Sequence, residues 1–472
     1  MANTSLDDIL LQHFRHTPTG DQITALHVLS GFLYSCPEPN SLLLLRGYAG
    51  TGKTSLVGAL VKALDSVRIK SVLLAPTGRA AKVFSLYAGH KAFTIHKKIY
   101  RQKSFQGDTA GSTLNANLHR DTLFIVDEAS MIANRQTDGH SFGSGNLLDD
   151  LVHYVYSGDN CRMILMGDEA QLPPVMLDES PALDCNRLSA YNLRVYEASL
   201  TQVVRQDEDS GILLNATLLR ETLRMQTTDA FPRLRLKGYK DLRRTEGGEA
   251  FEDIASAYSR DGTDDTMVIV RSNKQANRYN NIIRNRILYC EDELTSGDRL
   301  MVTRNNYHWA ADSEEMDFIA NGEIVRVLRV RQRMGRYGFR FADVSVRFLD
   351  YDLEIDIKIL LDTLHGEAPT LSREESDKLF NGVMESYSYI TTKPERIRKL
   401  KEDPFYNVVQ VKYAYAVTCH KAQGGQWSNV FLDIGFVNED MLGESFYRWL
   451  YTAITRASCC LYLINLPDEM IG

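Results

Sequence analysis

The sequence predicts an α/β protein with two parallel-sheet units, a small hairpin inserted in the first and a β-rich module inserted in the second. Three observations predict it. Short apolar runs in the first half are each followed by a turn and a helical pattern, and the same alternation resumes after Thr266. Between about 296 and 403 it gives way to short strands of alternating polarity. Alternating strand and helix means a parallel sheet covered on both faces, whereas closely spaced alternating strands mean an antiparallel module.

The elements follow in order. Strands are predicted at 42–46, 72–76, 123–127 and 163–167. In such a sheet the chemistry gathers at the carboxyl ends of the strands. The segment 101–120 breaks the rhythm; it is polar, carries Gly107 and Gly111, and reads as an inserted hairpin. The stretch 134–145 is a polar, solvated loop. A second unit opens with the strand 266–272 and a helical pattern at 273–289, and strands at 430–434 and 461–466 complete it. The inserted module contributes strands at 299–303, 323–330, 338–348 and 353–359, then a charged helical stretch at 372–401. The units are therefore 1–98 with 119–225, the hairpin 99–118, the second unit 226–295 with 404–472, and the module 296–403.

Composition narrows the class. At 472 residues the chain is too long for one core. It is 44% hydrophobic and 24% charged, ordinary for a globular protein. Its seven cysteines, at 36, 161, 185, 290, 419, 459 and 460, form no C-x-x-C pair and have no histidine at zinc spacing, which predicts reduced thiols in the cytoplasm. No apolar run reaches the length of a membrane span, and residues 1–11 lack the pattern of a signal peptide. The net charge of −7 argues against bulk attraction to nucleic acid. It leaves room for a groove that holds a strand by stacking and a few cations.

The first strand ends in Gly47-Tyr48-Ala49-Gly50-Thr51-Gly52-Lys53-Thr54, the pattern G-x-x-x-x-G-K-T. Gly47, Gly50 and Gly52 let the backbone around Thr51 turn its N–H groups toward phosphate oxygens, and the helix entered through Ser55 aims its positive end at the same anion. Lys53 would reach the β- and γ-phosphates, and the Thr54 hydroxyl would ligate Mg²⁺. The third strand ends in Asp127 and Glu128, placed to hold Mg²⁺ through water and to position an attacking water. The fourth runs into Gln171 and a double proline; Gln171 can bond a γ-phosphate or the lytic water. Arg205 and Arg456 are candidate arginine fingers. The loop 417–426 sets Thr418, His420 and Lys421 beside Gly424 and Gly425, a combination able to grip a phosphodiester backbone and to read nucleotide state.

The ordered set GYAGTGKT, LLAPTGRAAKVFS, TIHK, VDEAS, GDEAQLPPV, LTQVVRQ, VTCHKAQGGQW and YTAITRA resembles the superfamily 1 helicases. Within them it is similar to group B, the 5′-to-3′ branch that includes RecD and the phage Dda helicase, from about Thr19 to Leu466. The resemblance implies two RecA-like motor domains with ATP and Mg²⁺ in the cleft between them. It implies that the β-rich module is a Src-homology-3-like accessory domain and that the hairpin is the pin that splits a duplex. It implies that Gln22 reads adenine, and that Lys53, Thr54, Asp127, Glu128, Gln171, Arg205 and Arg456 fall on ATPase positions, with Gly424 and Gln426 on the nucleotide side. Pro76, Thr77, His96, Lys97, Pro173, Val175, Asn273, Thr418, His420 and Lys421 fall on strand-contact positions. Gln426 stands where the family often has Glu. Phe105, the only phenylalanine of the hairpin, lies just before Gly107 and is a candidate to stack on the last base pair. The expected partners are single-stranded DNA and tailed or forked duplexes. An RNA-directed motor and a non-motor nucleotide switch are the alternatives; Arg456 and the Thr418 loop argue against the switch. The chain ends six residues after Leu466, which predicts no further recruitment domain there.

Overall fold

The computed structural model describes all residues except 1–5, 15–16, 36–37, 103–111, 135–142, 204–208, 311–315, 317 and 351–352. Six strands form the first sheet, in the order Ala92–Thr94, Lys70–Ala75, Thr122–Val126, Arg162–Gly167, Ser41–Gly47 and Arg194–Leu200. Every neighbour pair in it is parallel. Successive side chains in a strand point to opposite faces, so an all-apolar strand feeds two cores. Leu43, Leu45, Ile125 and Ile164 pack under the helix Lys53–Ser66, while Leu42, Leu44, Phe124 and Met163 pack against the helix Leu147–Tyr156.

The second sheet is also parallel and has the order Ala416–Thr418, Thr266–Val270, Trp427–Asp433, Ala457–Ile464 and Leu242–Thr245. Its edge strand Leu242–Thr245 pairs only with Ala457–Ile464, Leu242 opposite Leu461. With these two sheets the chain has two RecA-like domains. The inserted module is a closed barrel of Arg299–Val302, Ile324–Arg336, Phe339–Phe348, Glu354–Leu360 and Val409–Tyr413. Its core is continuous with one face of the second sheet: Val325, Val346, Ile357 and Val411 share a cluster with Val268, Phe431 and Tyr462. Asn280, on the helix Asn273–Ile282, fastens the link back to the sheet. Its Nδ2 donates to the carbonyls of Tyr413 (3.1 Å) and Ala416 (3.0 Å), and its Oδ1 accepts from the amides of Tyr415 (2.9 Å) and Ala416 (2.8 Å). At the other link the buried Arg284 grips Asp298 through two 2.8 Å bonds.

Several elements depart from the sequence expectation. The barrel closes with Val409–Tyr413, past the boundary drawn at 403, because that strand reads as continuous with the apolar run of the next. The helix Gly211–Met225, placed with the first unit, buries Ile212, Ala216 and Leu219 in the core of the second. The strand placed at 72–76 ends at Ala75, since Pro76 offers no N–H to a ladder. The helix 273–289 ends at Ile282 and passes into a π-turn, Ile283–Ile287. The stretch 372–401 is two helices, Arg373–Ser386 behind a Ser372–Glu375 capping box and Lys393–Glu402 with a proline in its first turn. The hairpin is present as Tyr100–Gln102 paired with Ser112–Leu114; Phe105 lies outside the described residues. Among the described residues no helix is long and apolar enough to cross a membrane.

Candidate functional site

At the end of Ser41–Gly47 the chain enters its loop with Gly50 at φ +75° and Gly52 at φ +80°, a region that side chains disfavour. Gly52 precedes the helix Lys53–Ser66 and no side chain caps it, so the first-turn N–H groups stay open toward an anion. A Cβ at Gly47 would come within 2.7 Å of the Lys53 side chain. The Lys53 ammonium curls back to donate to the carbonyls of Gly47 and Tyr48. The buried Thr51 donates to the Tyr48 carbonyl (2.8 Å). Thr54 and Ser55 are exposed at the mouth. Gln22 is buried beneath: it completes a capping box with Thr19, and its Nε2 donates to the Thr51 carbonyl (3.0 Å). Both ends of this amide are therefore engaged with the loop and its own helix.

Asp127 follows the strand Thr122–Val126 and accepts from the Tyr87 hydroxyl and from the Glu128 amide (2.8 Å). Glu128 sits at φ +52°, a strained geometry for a non-glycine residue. Burial and the neighbouring Asp127 raise the Glu128 pKa, while Arg456 and Lys53 pull it down. Gln171 is buried and its Oε1 has no hydrogen-bond partner. A buried acceptor left open beside a phosphate loop fits a water or phosphate ligand. Among the described residues no group of His, Cys, Asp or Glu could hold a metal ion unaided. Mg²⁺ suits such a place, since it is commonly held by one or two protein oxygens plus phosphates; Thr54 and Asp127 are the residues available.

The second motor domain supplies the opposite wall. Arg456 is buried, its guanidinium held by the carbonyls of Thr452 (3.0 Å) and Gly425 (3.3 Å) and by Thr455 Oγ1 (3.2 Å). Arg205 lies outside the described residues. Four residues whose contacts sequence reasoning missed join the walls. The Tyr451 hydroxyl accepts from the Ala49 amide (2.9 Å) and donates to Asp168 (2.7 Å). The Leu172 amide donates to Thr452 Oγ1 (2.8 Å). Gln423 donates to the Leu172 carbonyl (2.7 Å), and Arg448 donates to the Glu169 and Gln171 carbonyls. The signal was available: the helix Glu444–Ile454 buries nearly every residue after Arg448, and a tyrosine and threonine inside such a helix need partners.

The strand-contact residues divide. Thr77 caps the helix Gly78–Ala88, its hydroxyl accepting from the Ala80 amide (3.2 Å), and Gly424 (φ +71°) packs against that hydroxyl. Pro76 precedes it. Asn273, His420 and Val175 are exposed, Thr418 and Lys421 half-buried, and Pro173 buried. Thr418 ends one strand and Asn273 follows its parallel neighbour, so both lie at the carboxyl end of the second sheet. The Gln426 side chain is exposed while its carbonyl accepts from Arg79. Lys97 and His96 lie on the short helix Ile95–Ile99 at the base of the hairpin. Burial pushes the His96 pKa from 6.5 down to about 4, so it is a neutral imidazole at neutral pH. In the unfolded chain the same ring takes up a proton near 6.5; between 6.5 and about 4 the unfolded state binds more protons, and stability is lost as pH falls through that window. The urea midpoint is expected to drop from about pH 7 to about pH 5, and His96→Gln to flatten part of that slope. An unchanged slope in the variant contradicts the assignment.

Two family models match. Residues 34–233 fit the AAA domain model and residues 413–464 the UvrD-like helicase C-terminal domain model, so the P-loop wall and the Arg456 wall each find a family. The ATP-dependent RecD2 DNA helicase of Deinococcus radiodurans is 24% identical over 88% of this chain and 46% of its own length. The ATP-dependent DNA helicase dda of Enterobacteria phage T4 is 24% identical over 89% of this chain and 93% of its own. At both walls and along most of its length this chain is similar to the RecD- and Dda-like helicases of superfamily 1. An uncharacterized protein of Acanthamoeba polyphaga mimivirus is 22% identical over 93% of this chain and 98% of its own length. The solved Pif1 helicase from Bacteroides, in complex with ADP-AlF3 and ssDNA, covers 97% of this chain and 95% of its own at 15% identity, with a TM-score of 0.47.

Proposed function

We propose that this chain is an ATP-driven motor that moves 5′-to-3′ on single-stranded DNA and unwinds the duplex ahead of it. The observation that carries the reading is Arg456. It is buried in the second motor domain, fixed by backbone carbonyls, and pulls electrostatically on Glu128 of the first. An arginine supplied from one domain to a carboxylate and phosphate loop in the other makes hydrolysis depend on how the two domains close.

In this reading ATP lies between the walls. Thr54 and Asp127 would hold Mg²⁺, which would supply charge to neutralise the phosphates. Lys53 leaves the Gly47 and Tyr48 carbonyls for the β- and γ-phosphates. Glu128 takes the proton of the attacking water, Gln171 orients that water, and Arg456 (with Arg205) meets the charge that spreads over the transferred phosphoryl group. Gln22 holds the loop and takes the adenine edge. On the other face Thr77, Asn273, Thr418, His420 and Lys421 track the strand, Pro173 and Val175 line it, and the hairpin of 99–118 meets the fork.

The test is unwinding of duplexes bearing a 5′ tail, a 3′ tail or none, with ATPase measured with and without single-stranded DNA. Stimulation by DNA and opening of the 5′-tailed duplex alone are expected. Opening of the 3′-tailed duplex alone overturns the polarity, and ATPase indifferent to DNA overturns the motor. RNA tails that outperform DNA tails select the RNA-directed alternative.

A further inference from the structure

Arg79 lies two residues after Thr77, in the first turn of the helix Gly78–Ala88. Its side chain contacts both the second motor domain and the barrel. Its guanidinium stacks 4.6 Å over the Trp427 ring, and its Nη2 donates to the Gln426 carbonyl (3.0 Å). Its Nη1 stands 3.6 Å from Asp350 of the barrel, whose carboxylate is buried. Burial raises the Asp350 pKa, and Arg79 leads the cations that oppose it. Lys82, one turn on, donates to the Leu349 carbonyl and braces the same barrel loop.

The segment that Arg79 grips is the one that holds Arg456. The Trp427 amide donates to the Arg456 carbonyl (3.0 Å), and Arg456 Nη1 donates to the Gly425 carbonyl (3.3 Å). There is no room to change it: a Cβ at Gly425 would come within 2.5 Å of the Trp427 ring and 3.0 Å of Arg79. On its other side Gly424 rests on the Thr77 hydroxyl. A contiguous path of contacts therefore runs from Thr77 through Arg79 to Gly425–Trp427 and on to Arg456.

We propose that Arg79 is the positioning residue through which strand occupancy at Thr77 sets Arg456 for hydrolysis, with Asp350 tying the barrel to the same guanidinium. The inference rests on the motor reading above. A planar guanidinium is suited to it, since it can stack on a ring and direct N–H groups to a carbonyl and a carboxylate at once; an ammonium cannot match that geometry.

The experiment compares full-length wild type, Arg79→Ala and Arg79→Lys for three quantities: affinity for an oligo-dT strand by fluorescence anisotropy, basal ATPase, and ATPase at saturating oligo-dT. Arg79→Ala is expected to keep basal turnover within about twofold and strand affinity within about threefold, and to lose about tenfold or more of the stimulated kcat, part of what a correctly placed arginine finger supplies. Arg79→Lys, which keeps the charge over the ring, is expected between the two and gives the answer if the alanine variant does not fold. Full stimulation in either variant overturns the proposal, as does an equal fall of basal and stimulated rates. Wild type that oligo-dT fails to stimulate overturns the motor reading and this inference with it; stimulated wild type with equally stimulated variants overturns this inference alone.

Discussion

Lys53→Ala is expected to abolish ATP hydrolysis and leave the fold intact. The helix Lys53–Ser66 begins without a side-chain cap, and its dipole offers only about half a unit charge to a triphosphate. The lysine supplies the full charge that the dipole lacks. Of its present partners, the Gly47 carbonyl ends a buried strand and the Tyr48 carbonyl opens the half-exposed loop, so neither the strand nor the loop depends on the ammonium for its backbone pairing. The melting temperature should therefore move little while DNA-stimulated turnover disappears. More than about a few per cent of turnover surviving would remove Lys53 from its place in phosphoryl transfer.

Glu128→Gln is expected to bind ATP and Mg²⁺ through Lys53, Thr54 and Asp127 and to turn over about two to four orders of magnitude more slowly, the cost of a lost general base. Glutamine keeps the side chain's size and leaves the amide that donates to Asp127 in place, so the strained turn at φ +52° should persist. Burial and Asp127 lift the carboxyl above its ordinary value of 4.5, which brings it nearer the working pH and improves it as a base. The base acts deprotonated. The acidic limb of kcat/KM in wild type should therefore lie above pH 4.5 and vanish from the residual activity of the variant. Normal hydrolysis in the variant would place the base elsewhere.

The central strands of both sheets were legible because they are buried on both faces and read as unbroken apolar runs. The short or half-exposed edges were not. Ala92–Thr94 is too brief for a periodic signal, and Arg194–Leu200 and Leu242–Thr245 mix exposed and buried positions without a run. The phosphate loop, the acidic pair and Arg456 were legible because their chemistry fixes both residue type and spacing. The contacts that join the walls were not, because Tyr451, Thr452, Gln423 and Arg79 acquire partners only when chain segments hundreds of residues apart meet. Sequence spacing has nothing to say about that.

The pairing of Leu242 with Leu461 bears on how the molecule comes into being at the ribosome. The first sheet draws its strands from Ser41 to Leu200, an unbroken stretch that can fold while the rest is still being made. The second sheet cannot. Its strand Leu242–Thr245 waits for Ala457–Ile464, and the barrel is synthesised in the interval. Until then the Trp427–Asp433 strand has an open edge, and the apolar faces that will close around it stand in water. Closing so long a loop adds little to the equilibrium cost, about 0.6 kcal/mol for each doubling of length, but it delays the reward until the last strand arrives. The half that carries Arg456 is thus the later-maturing half, and a nascent chain already holding a finished phosphate loop gains its opposite wall only after Ala457–Ile464 has been made.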